Sequence, residues 1–154
     1  YGSKAIRVQQ NRAGRPMNPV DPNDIIEAAR ECKGTVWKHQ ARIPGVALDC
    51  AGLLVHVFKR VGVPFNDERG YSRVPHHDIM RGILDAQPSL LVLNRREYDA
   101  GDVLLMRYKI EPQHIAIFTG EGIVHASCTH RKCVEHRMGR DVLKVMRAYR
   151  IVRP

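Results

Sequence analysis

Ala47-Leu48-Asp49-Cys50-Ala51-Gly52-Leu53-Leu54-Val55 sets a cysteine directly before an apolar, helix-competent run. Leu53, Leu54, Val57, Phe58 and Val61 recur at helical spacing, so one face is expected to be buried. Gly62 offers a left-handed stop, with Pro64 just beyond. The spacing therefore puts Cys50 in the first turn of a helix. Unpaired backbone N–H groups and the positive end of the helix dipole lie there. Both favour a thiolate, the form of cysteine that attacks a carbonyl carbon. A buried cysteine acting as a small apolar residue is the plainer reading of the same position. What separates the two is whether the chain also supplies a base and an orienting group.

Three downstream pieces bear on this. Gly101-Asp102-Val103-Leu104-Leu105-Met106 opens a strand. Gln113-His114-Ile115-Ala116-Ile117-Phe118-Thr119-Gly120 forms a second, and Gly122-Ile123-Val124-His125-Ala126 a third. Opposed residues of an antiparallel pair share a sheet face, and side chains alternate with period two. A hairpin loop of Thr119-Gly120, of Gly120-Glu121, or of residues 118–121 makes the numbers of opposed residues sum to an odd value. The numbers of His114 and His125 also sum to an odd value. Any of these loops puts both imidazoles on one face; a loop of odd length without a bulge separates them. A neighbouring imidazole shifts a thiol toward thiolate, and a second polar group holds the first ring in orientation.

In this order, the four pieces resemble the NlpC-type cysteine peptidases of cell walls. Those enzymes show an Asp-Cys-Ser-Gly-Leu-Val segment, a Gly-Asp strand start, a His-Val-Gly-Ile-Tyr-like strand and an Ile-His-Ala ending. The likeness runs over roughly residues 22–127. It implies a papain-like α+β fold, with the Cys50 helix packed on an antiparallel sheet that carries His114 and His125. It also implies that Cys50 is the nucleophile, His114 its base and later the acid for the leaving amine, and His125 the orienting group. The backbone N–H of Cys50 is the expected oxyanion donor, and Asp49 is expected to cap the helix or hold its loop. Trp37 stands where the family usually carries the tyrosine of a Pro-Tyr pair; an indole N–H can donate but not accept, and a pocket wall or plain core are equal readings of the residue. Trp37, His39 and Asp49 are expected around the oxyanion and substrate pocket.

The resemblance further implies hydrolysis of peptidoglycan stem peptides near the γ-D-glutamyl–diaminopimelate bond, through an acyl-enzyme and without a cofactor or metal. The His39-Gln40 pair followed by Pro44-Gly45 looks like the phage-tail and gene-transfer-agent branch of the family. That branch implies tail proteins as partners and an enzyme, made in the cytoplasm, that acts from a virion tail or at the wall after secretion. Two other classes fit the same residues: a thiol-dependent amidase or acyltransferase on another acyl substrate, and a non-enzymatic tail protein.

The 154 residues suit one domain and a sizeable core. No run is long and apolar enough to span a membrane, and no signal peptide is visible. The net charge of +9 is uneven. Residues 1–20 carry four basic residues and no acid, and residues 128–154 carry eight basic and two acidic. Residues 21–127 hold 13 basic and 14 acidic, so the basic field belongs to the two ends. Solvated ends are one reading; the other is an anionic partner, cell-wall polymer before nucleic acid, since no nucleic-acid reading motif accompanies the charge.

Residues 1–20 read as an extended basic arm, and 21–154 as the single domain. Asp21-Pro22 opens a helix with Ile25, Ile26, Ala28 and Ala29 as its apolar stripe, ending at Gly34, with Cys32 in the core. Tyr71-Ser72-Arg73-Val74-Pro75 is expected to border the groove, and residues 78–86 to form a short helix. His76-His77 reads as solvated. Residues 145–152 are the last strand. Helices first and mostly antiparallel strands after them argue α+β. The segment from Cys128 to His136 holds two cysteines and two further histidines besides His125's strand. Its composition suits zinc but its spacing does not, and a small disulfide between Cys128 and Cys133 is an alternative. It reads as a polar loop carrying incidental residues.

Overall fold

The structure, a computed structural model, describes residues 14, 17–73, 78–108, 113–139 and 142–154. Most of the basic arm and the His76-His77 pair therefore lie outside the described residues. The first helix, α1, spans Pro22–Arg30; the Asp21 carboxylate accepts from the N–H of Asn23 at 2.8 Å. Ile25, Ile26, Ala28 and Ala29 are buried, as their spacing predicts. The helix stops at Arg30, short of Gly34, and Cys32 follows in a turn with no exposed surface.

The second helix, α2, spans Cys50–Val61. Asp49 is its N-cap and accepts from the N–H of Gly52 at 2.8 Å. Gly62 ends it at φ 71°, a left-handed conformation that glycine adopts without a Cβ penalty. Leu53, Leu54, Val57 and Phe58 are buried, while Val61 stays partly exposed. Each of those four buried side chains contributes about 2 kcal/mol, against about 1 kcal/mol for a cap. Packing therefore holds the helix, and the cap decides where it starts. The third helix, α3, spans Ile79–Asp85.

The strands are β1 (Asn18–Pro19), β2 (Arg42–Ile43), β3 (Ala47–Leu48), β4 (Leu90–Leu93), β5 (Val103–Tyr108), β6 (His114–Phe118), β7 (Gly122–Ser127), β8 (Lys132–Arg137) and β9 (Val142–Arg153). The main sheet runs β1-β9-β5-β6-β7-β8, with β4 also on β9, and its pairs are antiparallel. β2 and β3 form a separate two-stranded piece beside α2. One face of the main sheet packs Val103, Leu105, Ile115, Ile117 and Val124 against α1 and α2. The other face gathers Leu104, Met106, Tyr108, Ala116, Ile123 and Ala148 in a smaller cluster. The papain-like α+β arrangement is therefore the observed one.

Besides the end of α1, three elements differ from the sequence reading. The segment read as a polar loop is strand β8, paired with β7 from Ser127↔Lys132 to Gly122↔Arg137. It is the last strand of the sheet, covered at its start by residues 34–37 through bonds such as Cys133 N–H to the Thr35 carbonyl at 2.8 Å, and the exposed charges at its two ends mask the alternation. Cys133 is 1% exposed and faces the core. Cys128 and Cys133 are free thiols, not a disulfide, and among the described residues no three His, Cys, Asp or Glu side chains gather as metal ligands. Strand β4 was not anticipated, and β9 begins at Val142 rather than Val145.

Part of the C-terminal charge is structural. Arg150 grips the buried Asp102 carboxylate with two bonds of 3.0 and 2.8 Å, Arg147 meets Asp85 at 2.9 Å, and Arg153 donates to the Val61 carbonyl. At the other end, the described tail of the arm pairs with β9, and Val20 is buried. No helix among the described residues is long and apolar enough to cross a membrane.

The start of α2 is fixed by a buried ion pair. Arg42 donates to Asp49 at 2.9 Å, with side chains 6% and 4% exposed. Breaking one side of such a pair strands the other charge and costs about 3–5 kcal/mol. Asp49→Ala, which also removes the cap, is expected to lower unfolding free energy by at least that amount in urea titration. A loss under about 1 kcal/mol would contradict this role.

Candidate active site

Cys50 is the first residue of α2 and is partly exposed. The motif's glycine has a steric reason. A Cβ at Gly52 would collide with the carbonyl oxygen of Ala41, so only glycine lets the first turn sit against the segment that carries Arg42. Asp49 is 3% exposed and accepts from four donors. Besides Gly52 and Arg42 these are the N–H of Gln40 at 2.8 Å and the hydroxyl of Tyr71. Arg42 also donates to the Tyr71 oxygen at 2.8 Å and to Asp67 at 2.9 Å. Burial and the Asp49 charge push the Tyr71 phenol well above its ordinary range, so it stays a neutral donor.

One pocket gathers Cys50, His114, Trp37, His39 and Asp49. Tyr71, Ser72, Arg73, Met80 and Gln113 complete its lining. The Arg73 guanidinium lies 5.4 Å from the centre of the Trp37 ring, and His39 meets Tyr71 edge-on at 5.6 Å. Trp37 is thus a pocket wall. Of residues 71–75, expected at the groove, 71–73 line the pocket and 74 and 75 lie outside the described residues.

The two histidines come from adjacent strands. Ile117 opposes Val124 and Phe118 opposes Ile123, a register with odd sums, closed around Gly120-Glu121. His114 and His125 therefore share a face. They are 1% and 2% exposed, and His114 Nε2 lies 2.6 Å from His125 Nδ1. Tyr108 stacks on the His125 ring at 5.8 Å and meets His114 edge-on at 5.2 Å. His125 does not line the pocket; it sits behind His114. The structure thus brings together all six residues singled out from the sequence, five around the pocket and the sixth in contact with His114.

Sequence reasoning missed several neighbours. Tyr71 was expected at the groove but not as a donor to Asp49, and Arg42 holds the same carboxylate from β2; no local pattern encodes either approach. Gln113 accepts from the N–H of Met80 at 2.9 Å, which ties the start of β6 to α3. The other thiols are unlike Cys50 in setting. Burial pushes Cys32 and Cys133 up to about 12, so both stay protonated and inert at neutral pH.

The pattern of the NlpC/P60 family matches residues 34–147. The chain belongs to the NlpC/P60 family of cysteine peptidases. Solved structures share the fold at low identity. The NlpC/p60 domain of the peptidoglycan hydrolase SagA is 18% identical with a TM-score of 0.55, over 86% of this chain and 98% of that one. A lipoprotein-like NLP/P60 protein from Staphylococcus aureus is 17% identical with a TM-score of 0.60, over 90% of this chain and 44% of its own. An NlpC/P60 protein from Bacillus cereus is 14% identical with a TM-score of 0.60, over 86% of this chain and 41% of its own. The chain thus spans nearly all of the first and under half of the other two. No curated protein matches.

His125 makes a stability prediction. Burial first, then the neighbouring His114, His136 and His130, push it from 6.5 down to about 2. The unfolded chain binds this proton near its ordinary value while the folded chain refuses it. The ring's contribution is full above about pH 6.5 and is lost as pH falls, by about 1.4 kcal/mol per pH unit. His125→Asn removes that proton. Urea unfolding measured from pH 6 to pH 4 should lose stability less steeply in the variant than in the wild type. Parallel slopes would mean that the ring is not held neutral.

Proposed function

We propose that the protein hydrolyses peptide bonds in peptidoglycan stem peptides, with Cys50 as nucleophile, His114 as general base and acid, and His125 as the orienting group. The observation that carries this reading is the 2.6 Å contact between two buried imidazoles, one of which lines the same pocket as a helix-start cysteine. With Nε2 of His114 engaged by His125, Nδ1 is the nitrogen that serves the thiol.

The steps follow from that assignment. His114 Nδ1 takes the thiol proton and the sulfur attacks the substrate carbonyl carbon, forming a tetrahedral oxyanion. The backbone N–H of Cys50, free of an intrahelical acceptor at the first helical position, donates to that oxyanion. Collapse breaks the C–N bond, and His114 passes its proton to the leaving amine. A thioester on Cys50 remains. Water then adds with His114 taking its proton, and the acid product leaves as the thiol is regenerated. His125 stays neutral throughout, which suits an orienting partner better than a second proton donor.

The substrate class comes from the family and from SagA, whose name describes a peptidoglycan hydrolase. Cleavage at the γ-D-glutamyl–diaminopimelate bond and service in a phage tail belong to the same proposal, the latter supported by the His39-Gln40 and Pro44-Gly45 pattern. The pocket offers cationic Arg73 and the aromatic Trp37 to a short anionic peptide. Mass spectrometry of purified muropeptides before and after incubation tests this directly. Wild type is expected to release stem-peptide fragments, and Cys50→Ala and His114→Ala to lose at least about a thousandfold in rate. Unchanged muropeptides, or cleavage that survives Cys50→Ala, would remove the proposal.

A further inference from the structure

The line of hydrogen-bonded histidines does not end at His125. His125 Nε2 lies 2.7 Å from Nε2 of His136 on β8, and His136 Nδ1 lies 2.6 Å from the carbonyl oxygen of Arg137. A carbonyl oxygen can only accept, so His136 Nδ1 carries a hydrogen. In the neutral ring, Nε2 of His136 is then an acceptor. His125 must donate from Nε2 and accept at Nδ1. His114 must in turn donate from Nε2, which puts its lone pair on Nδ1. One backbone carbonyl thus sets the tautomers of three rings in series.

We propose that His136 is a positioning residue of the active site, holding His125, and through it His114, in the tautomer that presents a basic Nδ1 to Cys50. The inference rests on the peptidase reading above and extends its triad by a fourth ring. It also names a way to switch the site off. A doubly protonated His136 can only donate. His125 then accepts at Nε2 and donates from Nδ1, and His114 accepts at Nε2 and carries its hydrogen on Nδ1. A His114 ring in that state cannot take the thiol proton.

His136 is placed to sense solvent. It is half-buried and lines a surface hollow of about 580 Å3 that shares no lining residue with the pocket of Cys50. The charged and titratable groups around it are Arg30, Lys33, Glu121, Glu135 and Arg137, with the His130 ring 5.5 Å away. Arg30 and Lys33 are both paired with Glu135, at 2.9 and 3.4 Å. His130 bonds the Ser127 hydroxyl at 2.9 Å rather than joining the chain of rings.

Two substitutions separate this role from simple packing. In His136→Gln the amide oxygen can accept from His125 and the NH2 group can donate to the Arg137 carbonyl, but the side chain takes up no proton. His136→Ala offers neither bond. With muropeptide as substrate, His136→Ala is expected to lose about tenfold or more in kcat with KM nearly unchanged. His136→Gln is expected to recover most of kcat and to stay active to lower pH than the wild type. Imidazole nitrogen NMR gives a readout that needs no turnover: wild type should show His125 with its hydrogen on Nε2 and His136 with its hydrogen on Nδ1. Wild-type kcat and pH profile in His136→Ala would overturn the proposal. So would equal losses in the two variants, or a hydrogen on His136 Nε2 at neutral pH. Absence of muropeptide turnover by the wild type would instead remove the peptidase reading, and the NMR tautomers would still decide the order of the rings.

Discussion

The Asp49 carboxylate lies almost wholly out of water and accepts hydrogen bonds from Gly52, Gln40, Arg42 and Tyr71. Burying a carboxylate is costly, and only a complete set of donors offsets that cost. The four donors come from separate places: the first turn of α2, the turn before β2, β2 itself, and the loop that follows α2. Satisfying one charge therefore fixes all of them together. Cys50 is the next residue, so its position follows from the same constraint. The close approach of Gly52 to Ala41 acts in the same direction, since it admits no side chain between helix and loop.

The other half of the site stands on the sheet. His114 and His125 sit on paired strands in the sheet interior, backed by Tyr108. A pair of rings mounted on strands has little freedom to drift, which suits the proposed role of His114 as a base for one sulfur. Helix and sheet are joined through the shared core of Leu53, Val57, Ile115, Ile117 and Val124. Packing brings Cys50 and His114 to one pocket. The basic C-terminal segment also has a structural share: Arg147 and Arg150 close ion pairs that pin β9 to α3 and to the start of β5.

Much of this was legible in the sequence, for specific reasons. The start of α2 was readable because an Asp cap, an apolar stripe and a Gly stop all agree. The facing of His114 and His125 was readable because strand parity and a short turn leave few options. The fold class and pocket residues came from the ordered motifs of a family that the comparison then showed. What stayed hidden has a common cause. Tyr71, Arg42 and Gln113 act through long-range contacts that no local period encodes. Strand β8 was masked by the exposed charges at its two ends, Lys132 and Arg137. Missing β8 meant reading His136 as incidental, although its spacing from His125 equals that of His125 from His114.

The coupling of Cys50 to His114 is tested most directly by the rate at which iodoacetamide alkylates the native protein at neutral pH, with the modified residue located by peptide mapping. Thiolate reacts and thiol does not. If His114 draws the proton from Cys50, the wild type should be modified first at Cys50 while Cys32 and Cys133 remain untouched. His114→Ala should then slow Cys50 alkylation by about tenfold or more. Equal alkylation rates at Cys50 in the two proteins would mean that the imidazole does not activate this sulfur.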